Sequence, residues 1–284
     1  MPTYSIIIKS LKSSIVVKSY RKKDIHLLKS SAFLRRYIPN VIISERASGE
    51  DCELVIKKGK DRIDVQYPRA IYYSDKFNEK DVISLAEYLL ERARQESGLY
   101  CIHGSACMVE GRTVVFWGGA SGMGKTTLCD KLQKYGAVWF ADEKIIIDSS
   151  NNQICGWINT AYLKNKKNNF RQISAVDRQS IPIAFFIYPL LTDDSCSKLI
   201  FDKWPSEKFQ WHLFEEFNRK IRATSRLFFS SREPVLPIDT LALARKRVAV
   251  VKNIVKQSEN YFARGNSENI CKNIFSLIKK SILV

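Results

Sequence analysis

The 284-residue sequence predicts an α/β protein, a nucleotide-binding core preceded by a smaller β-rich N-terminal part. Three observations carry this. A glycine-rich loop, Gly119 to Thr126, lies between an apolar strand and a helix. The order around it, Val114 to Ala141, is strand, loop, helix, strand. Short Ile- and Val-rich strands fill residues 1–97 and close with one long helix.

In chain order, Tyr4 to Lys9 and Ser14 to Lys18 read as strands. Leu54 to Ile56 and Arg62 to Tyr67 read as a hairpin around Lys57-Lys58-Gly59-Lys60-Asp61, with Ile63, Val65 and Tyr67 alternating at period two. A helix follows over Glu79 to Ser97, with Asn78 as its cap and Gly98 as its stop. Val82, Leu85, Ala86, Leu89, Leu90 and Ala93 form its apolar stripe. This gives two domains, 1–97 and 98–284.

In the second domain, Tyr100 to Val109 and Thr113 to Trp117 are strands joined by Glu110-Gly111-Arg112. The loop leads into a helix from Lys125 to about Tyr135, which Gly136 stops, and Ala137 to Ala141 returns as a strand. Ile145 to Asp148 and Gln153 to Ile158 predict a hairpin across a Ser-Ser-Asn-Asn turn. Asn165 to Asn169 reads as a polar, basic loop, and Ile181 to Tyr188 as one buried strand. Ser206 to Arg222, Thr240 to Lys256 and Ser267 to Ile282 predict helices. In the first of these, Trp211, Phe214, Phe217 and Ile221 recur at helical spacing beside Lys208, Arg219, Lys220 and Arg222. Such a stripe is either a core face or a stacking surface for bases.

Gly119-Ala120-Ser121-Gly122-Met123-Gly124-Lys125-Thr126 matches G-x-x-x-x-G-K-[ST] in full. The glycines free the backbone to turn successive amides toward phosphate oxygens, and the helix start adds its positive end. Lys125 supplies a point charge for the β- and γ-phosphates, and the Thr126 hydroxyl a magnesium ligand, with Thr127 beside them on the first helical turn. The loop calls for a nucleoside triphosphate with Mg2+; ATP and Mg2+ are the expected cofactors, with no residue in the sequence deciding ATP against GTP. A carboxylate at a nearby strand end completes such a site. Asp142-Glu143 and Asp148 compete for it. The pair is favoured because its strand directly follows the loop helix and is expected beside the loop's own strand. Two adjacent carboxylates also divide the roles of metal ligand and general base. His103 stands before the loop in His103-Gly104-Ser105-Ala106; by itself, a strand histidine reads as core.

The run His103-Gly104, Gly119 to Thr126 with Ser121-Gly122, Gly136 and Asp142-Glu143 resembles the catalytic domain of HPr kinase/phosphorylase and its shorter relatives, some of which phosphorylate peptide precursors. The resemblance covers about fifty residues. More weakly, the helix before His103 and Asp239-Thr240 with the Arg245-Lys246-Arg247 helix resemble the short relatives. It implies a fold related to ATP-dependent phosphoenolpyruvate carboxykinase. It also implies phosphorylation of a serine or other hydroxyl, and catalytic roles for His103, Asp142, Glu143 and Lys125. The chain departs from the pattern at Glu143, where a second Asp is usual; the glutamate side chain is one methylene longer. The C-terminal loop that contacts HPr in true HPr kinases has no counterpart here.

Composition bounds the partners. The net charge is +17, from 46 Lys and Arg against 29 Asp and Glu. It is concentrated at the ends: residues 1–40 hold nine basic side chains and one acid, and residues 219–284 hold fourteen and four. That field favours an anionic peptide, protein or small-molecule acceptor and leaves nucleic acid open. An RNA or nucleotide kinase and a nucleotide-gated binding ATPase are the alternative functions, and a homo-oligomer is not excluded. The longest apolar run, Ile183 to Leu191, is too short to span a bilayer and is broken by Pro189. With no apolar signal core at the start, a cytoplasmic location is expected. Seven scattered cysteines without a CxxC pair predict free thiols, neither a disulfide framework nor a zinc site.

Overall fold

The computed structural model describes residues 3–45, 49–118, 121–162, 170–174, 176, 180–192, 198–222 and 235–282. The chain forms two compact units: Met1–Tyr100 with Phe217–Lys246, and Cys101–Glu216 with Arg247–Val284. Residues 217–246, which a single boundary at 98 leaves in the second domain, cluster with the first unit.

The first unit is built on β1 (Tyr4–Ser10), β2 (Ser13–Ser19), α1 (Lys22–Ser30), α2 (Ala32–Tyr37), β3 (Val41–Ser44), β4 (Cys52–Lys57), β5 (Arg62–Gln66), β6 (Arg69–Tyr73) and α3 (Glu79–Glu96). Its sheet runs β3-β1-β2-β4-β6-β5, parallel at β2/β4 and β4/β6. The expected β4–β5 hairpin is not formed. β5 pairs antiparallel with β6, and β4 takes β6 as a parallel neighbour. The basic turn at Lys57-Lys58-Gly59-Lys60-Asp61 is thus a connection that carries the chain past the position β6 will fill.

The Asn78 side chain accepts a hydrogen bond from the Lys80 amide and starts α3. The predicted apolar stripe of α3 is buried with Ile6, Ile8, Val17, Leu54 and Tyr72. Its polar side is buried too. Arg94, fully buried, pairs with Glu87 and Glu91 at 2.9 Å each and donates to Ser10 Oγ at 2.9 Å. Part of α3's cover comes from the returning segment: the Tyr88 hydroxyl donates to Ile221 O at 2.8 Å and accepts from the Ile238 amide at 3.1 Å. A helix inside two layers needs partners for its charges, and α3 supplies them within itself.

The second unit comprises β7 (Leu99–Val109), β8 (Arg112–Trp117), α4 (Lys125–Leu132), β9 (Val138–Asp148), β10 (Gln153–Ile158), β11 (Thr160–Tyr162), β12 (Phe170–Gln172), β13 (Ile181–Pro182), β14 (Phe185–Leu191), β15 (Ile200–Lys203), α5 (Ser206–Arg219), α6 (Leu241–Gln257), β16 (Glu259–Gly265) and α7 (Ser267–Ile282). The divisions between units fall inside β7, α5 and α6. Eight strands form a mixed sheet in the order β13-β10-β9-β7-β8-β14-β16-β15. β8, β14 and β16 are parallel to one another. The fold is mixed α/β.

Three sequence expectations are corrected here. The segment Ile181–Tyr188 is two strands, β13 and β14, at distant places in the sheet. Ala137–Ala141 and Ile145–Asp148 are one strand, β9. And β9 does not lie beside the loop's strand β8, because β7 stands between them. Of the stripe read in the sequence, Phe217 and Ile221 are buried and Phe214 is half-buried, whereas Trp211 is 69% exposed; Phe209 and Leu213 complete the buried face of α5. Phe214 lies under the buried Arg247 guanidinium, 5.9 Å from the ring centre. Among the described residues six cysteines are free thiols, all buried except the half-buried Cys155. No helix among the described residues is long and apolar enough to cross a membrane.

Candidate active site

β8 delivers the chain to the loop at Gly118, whose amide donates to His103 O at 3.2 Å. Gly119 and Ala120 lie outside the described residues. Ser121 and Gly122 are exposed, and Gly124 caps α4 in the left-handed region at φ +98°. A Cβ on Gly124 would come within 2.1 Å of Leu191 Cγ, so glycine is required there twice, for conformation and for space. β14 holds the loop from its other side through the Leu191 amide, which donates to Met123 O at 3.2 Å.

Lys125 does not extend into solvent. It is 6% exposed, and its ammonium donates to Gly118 O at 3.0 Å, closing the loop on itself. Thr126 is half-buried and Thr127 exposed on the same first turn. The Thr126 hydroxyl lies against Asp142, 3.1 Å from Oδ1 and 3.3 Å from Oδ2. The loop and the acid are therefore in direct contact although one strand separates β8 from β9.

Asp142 is 2% exposed. Burial, followed by the neighbouring Glu143 charge, pushes its carboxyl up to about 7, against the opposing hydrogen bonds of Ser105, Thr126 and the Glu143 amide. Asp148 has no part in this. It sits at the hairpin turn, where its Oδ1 accepts from the Ser150 amide at 2.9 Å and the Ser150 hydroxyl at 2.6 Å.

Glu143 is placed by a bulge. β9 pairs Asp142 with Ile158 and Ile145 with Trp157, so Glu143 and Lys144 have no counterpart on β10. Glu143 adopts φ +66°, unusual for a non-glycine residue. Bulges of this kind re-aim side chains and recur beside active sites. The Glu143 carbonyl lies 2.9 Å from His103 Nδ1 and its carboxylate 3.6 Å. A carbonyl only accepts, so Nδ1 carries a proton. The His103 amide in turn donates to Glu216 Oε1 of α5 at 2.7 Å.

The structure thus brings Lys125, Thr126, Asp142, Glu143 and His103 into one connected group and leaves Asp148 outside it. Two contributors were missed in the sequence. The Ser105 hydroxyl, directly behind Asp142, lies 3.1 Å from Ala141 O and accepts from Trp139 Nε1 at 3.1 Å. Its signal was available, since it stands two residues from His103 on the same face of β7. Buried Glu216 had none, being a single acid in an amphipathic helix. The polar, basic loop at 165–169 lies outside the described residues; Arg171, just beyond it, pairs with Asp130 at 3.4 Å.

No family model matches the chain, and no curated protein matches it. Among solved structures it is similar to the Hpr(Ser) kinase/phosphatase from Coxiella burnetii, at 15% identity over 54% of this chain and 88% of that one, with a TM-score of 0.28.

Proposed function

We propose that the chain is a Mg-ATP-dependent kinase that phosphorylates a serine or other hydroxyl on an anionic peptide, protein or small molecule. The observation that carries this reading is the Thr126–Asp142 contact at 3.1 Å, which joins a complete phosphate-loop motif to a buried carboxylate. The donor set suits Mg2+: a hydroxyl and a carboxylate, both hard oxygen ligands. A buried carboxyl whose pKa stands near 7 also gains from a cation beside it. Thr126 and Asp142 would hold the ion, and the loop amides with Lys125 the phosphates. The ion supplies neutralisation of charge on the transferring phosphoryl group.

The chain's own groups then divide the work by exposure. Asp142, buried, is committed to the metal. Glu143, with its side chain 52% exposed, faces the acceptor side and takes the hydroxyl proton. His103, fixed through Nδ1 on the Glu143 carbonyl, orients that carboxylate and faces the transferred phosphate. Lys125 leaves Gly118 O for phosphate oxygens when nucleotide enters.

The test is incubation with ATP and Mg2+ and mass spectrometry of candidate hydroxyl-bearing acceptors, with Lys125→Ala as control. The expected result is a mass gain of one phosphoryl group on an acceptor with the wild type and none with the variant. Hydrolysis of ATP without any phosphorylated acceptor would favour the nucleotide-gated ATPase instead. Equal activity in the Lys125→Ala variant would sink both.

A further inference from the structure

The strand order divides the second unit's sheet at β8. Asp142, Glu143 and His103 belong to β9 and β7 on one flank; β14, β16 and β15 form the other. That second flank carries a connected group of rings that the chemistry above does not use. Tyr188 of β14 and Trp204, just after β15, lie 4.8 Å apart between centroids. His212 of α5 stands 4.9 Å from Trp204 and 5.5 Å from Tyr188, and Phe262 of β16 is stacked 6.3 Å from Tyr188. Buried Trp117, the last residue of β8, meets Tyr188 edge-on at 5.8 Å and fixes the group from below.

Two features set this group apart from core packing. Tyr188, Trp204 and Phe262 are only half-buried and His212 is exposed, whereas the neighbouring Phe186 and Phe209 are fully buried. The group also begins where the phosphate loop begins. The Tyr188 ring rests on Gly118 so closely that a Cβ there would meet its Cε2 at 2.6 Å.

We propose that these rings form the nucleobase subsite of the phosphate loop, on which the planar base of a nucleoside triphosphate stacks. The proposal rests on the nucleotide reading above and adds to it where the base lies. A nucleotide whose terminal phosphate points toward Thr126, Asp142 and His103 extends its base end to the opposite flank, that of β14. A half-buried aromatic surface continuous with Gly118 offers a base ring edges and faces to stack on, since every base presents a π-face. Stacking does not read the hydrogen-bonding edges, so adenine and guanine bind with similar strength.

The experiment measures Kd for ATP, GTP and inorganic tripolyphosphate, which has no base, on the full chain with Mg2+ by displacement titration. In the wild type both nucleotides bind more tightly than tripolyphosphate. Trp204→Ala weakens ATP and GTP about tenfold each, the scale of one lost stacking ring, and leaves tripolyphosphate unchanged. Trp204→Phe retains ATP within about threefold of the wild type, a ring having been kept. His212→Ala, at an exposed position and so safe for folding, weakens ATP alone by a smaller factor. The assignment is overturned if tripolyphosphate loses as much as ATP in Trp204→Ala, or if Trp204→Ala and His212→Ala both bind ATP as the wild type does. It is also overturned if wild-type protein binds tripolyphosphate as tightly as ATP; the loop reading then stands without the base subsite. If the wild type binds neither, the nucleotide reading falls as well.

Discussion

Replacing Asp142 with Asn should stabilise the cation-free protein while removing its activity. The carboxyl is buried, and its pKa of about 7 in the folded chain compares with 3.8 for the free group. The sign follows from proton binding. Below about pH 4 both folded and unfolded chains hold the proton and nothing is lost. Between about 4 and 7 the unfolded chain ionises while the folded one retains its proton, so stability falls as pH rises. Above 7 the loss is complete. About three pKa units at ~1.4 kcal/mol each set a ceiling of about 4 kcal/mol. Relaxation of the site, and the weaker hydrogen bond from Thr126 to an amide oxygen, reduce this to roughly 2 kcal/mol. Urea unfolding of Asp142→Asn and wild type from pH 5 to 8, without divalent cations, should show a gap in favour of the variant that opens with pH. Groups that titrate identically in both proteins cancel in that difference. Phosphate transfer should fall by about 10²–10⁴ in the same variant, while Asp148→Asn stays close to wild type. A variant less stable than wild type at pH 8, or a gap that does not change with pH, would refute the burial account of Asp142.

Three further outcomes are expected. His103→Ala should lower the transfer rate far more than it weakens ATP binding, read as kcat against nucleotide Kd; equal losses would mark a structural histidine. Gly124→Ala must meet both a left-handed backbone, at about 1–2 kcal/mol, and Leu191, whose overpacking adds ~1–3 kcal/mol. Adding Leu191→Ala should recover nucleotide binding only in part, since the backbone share remains; full recovery would show that φ is irrelevant. Finally, if the basic ends draw in an anionic acceptor, acceptor KM should rise with salt more steeply than ATP KM, and Lys22→Ala with Lys23→Ala should flatten the rise, both lysines being exposed on α1. Strong competition by nucleic acid in that assay would favour the RNA-kinase alternative.

What could be read in the sequence follows from how local each signal was. Asn78, Gly98 and the stripe from Val82 to Ala93 delimit α3 because capping and periodicity act within one helix. The loop and its helix were legible for the same reason. Pairing was not. Whether Leu54–Ile56 turns back on Arg62–Tyr67 or waits for Arg69–Tyr73 depends on a partner beyond the local pattern. Glu259–Gly265, lying between two helices without alternation, gave no strand signal, yet β16 is a parallel neighbour of β14. At the site, the types and spacing of Lys125, Thr126, Asp142 and His103 were visible, but the bulge at Glu143 was not, because a left-handed glutamate leaves no mark in the residue order.

The parallel run β8-β14-β16 also sets a timetable for synthesis. β8 ends at Trp117 and β16 at Gly265. At about 5–20 residues per second, the ~150 residues between them take roughly 7–30 s to leave the ribosome. For that interval the phosphate-loop strand and its loop helix exist without the strand that completes their flank, and β14, once made, presents a bare edge rich in phenylalanine and leucine. Such an edge attracts other chains. The nascent protein should therefore depend on chaperones most between the emergence of Leu191 and that of Gly265. Stalled chains released within this window should aggregate more readily than chains released after β16 is made.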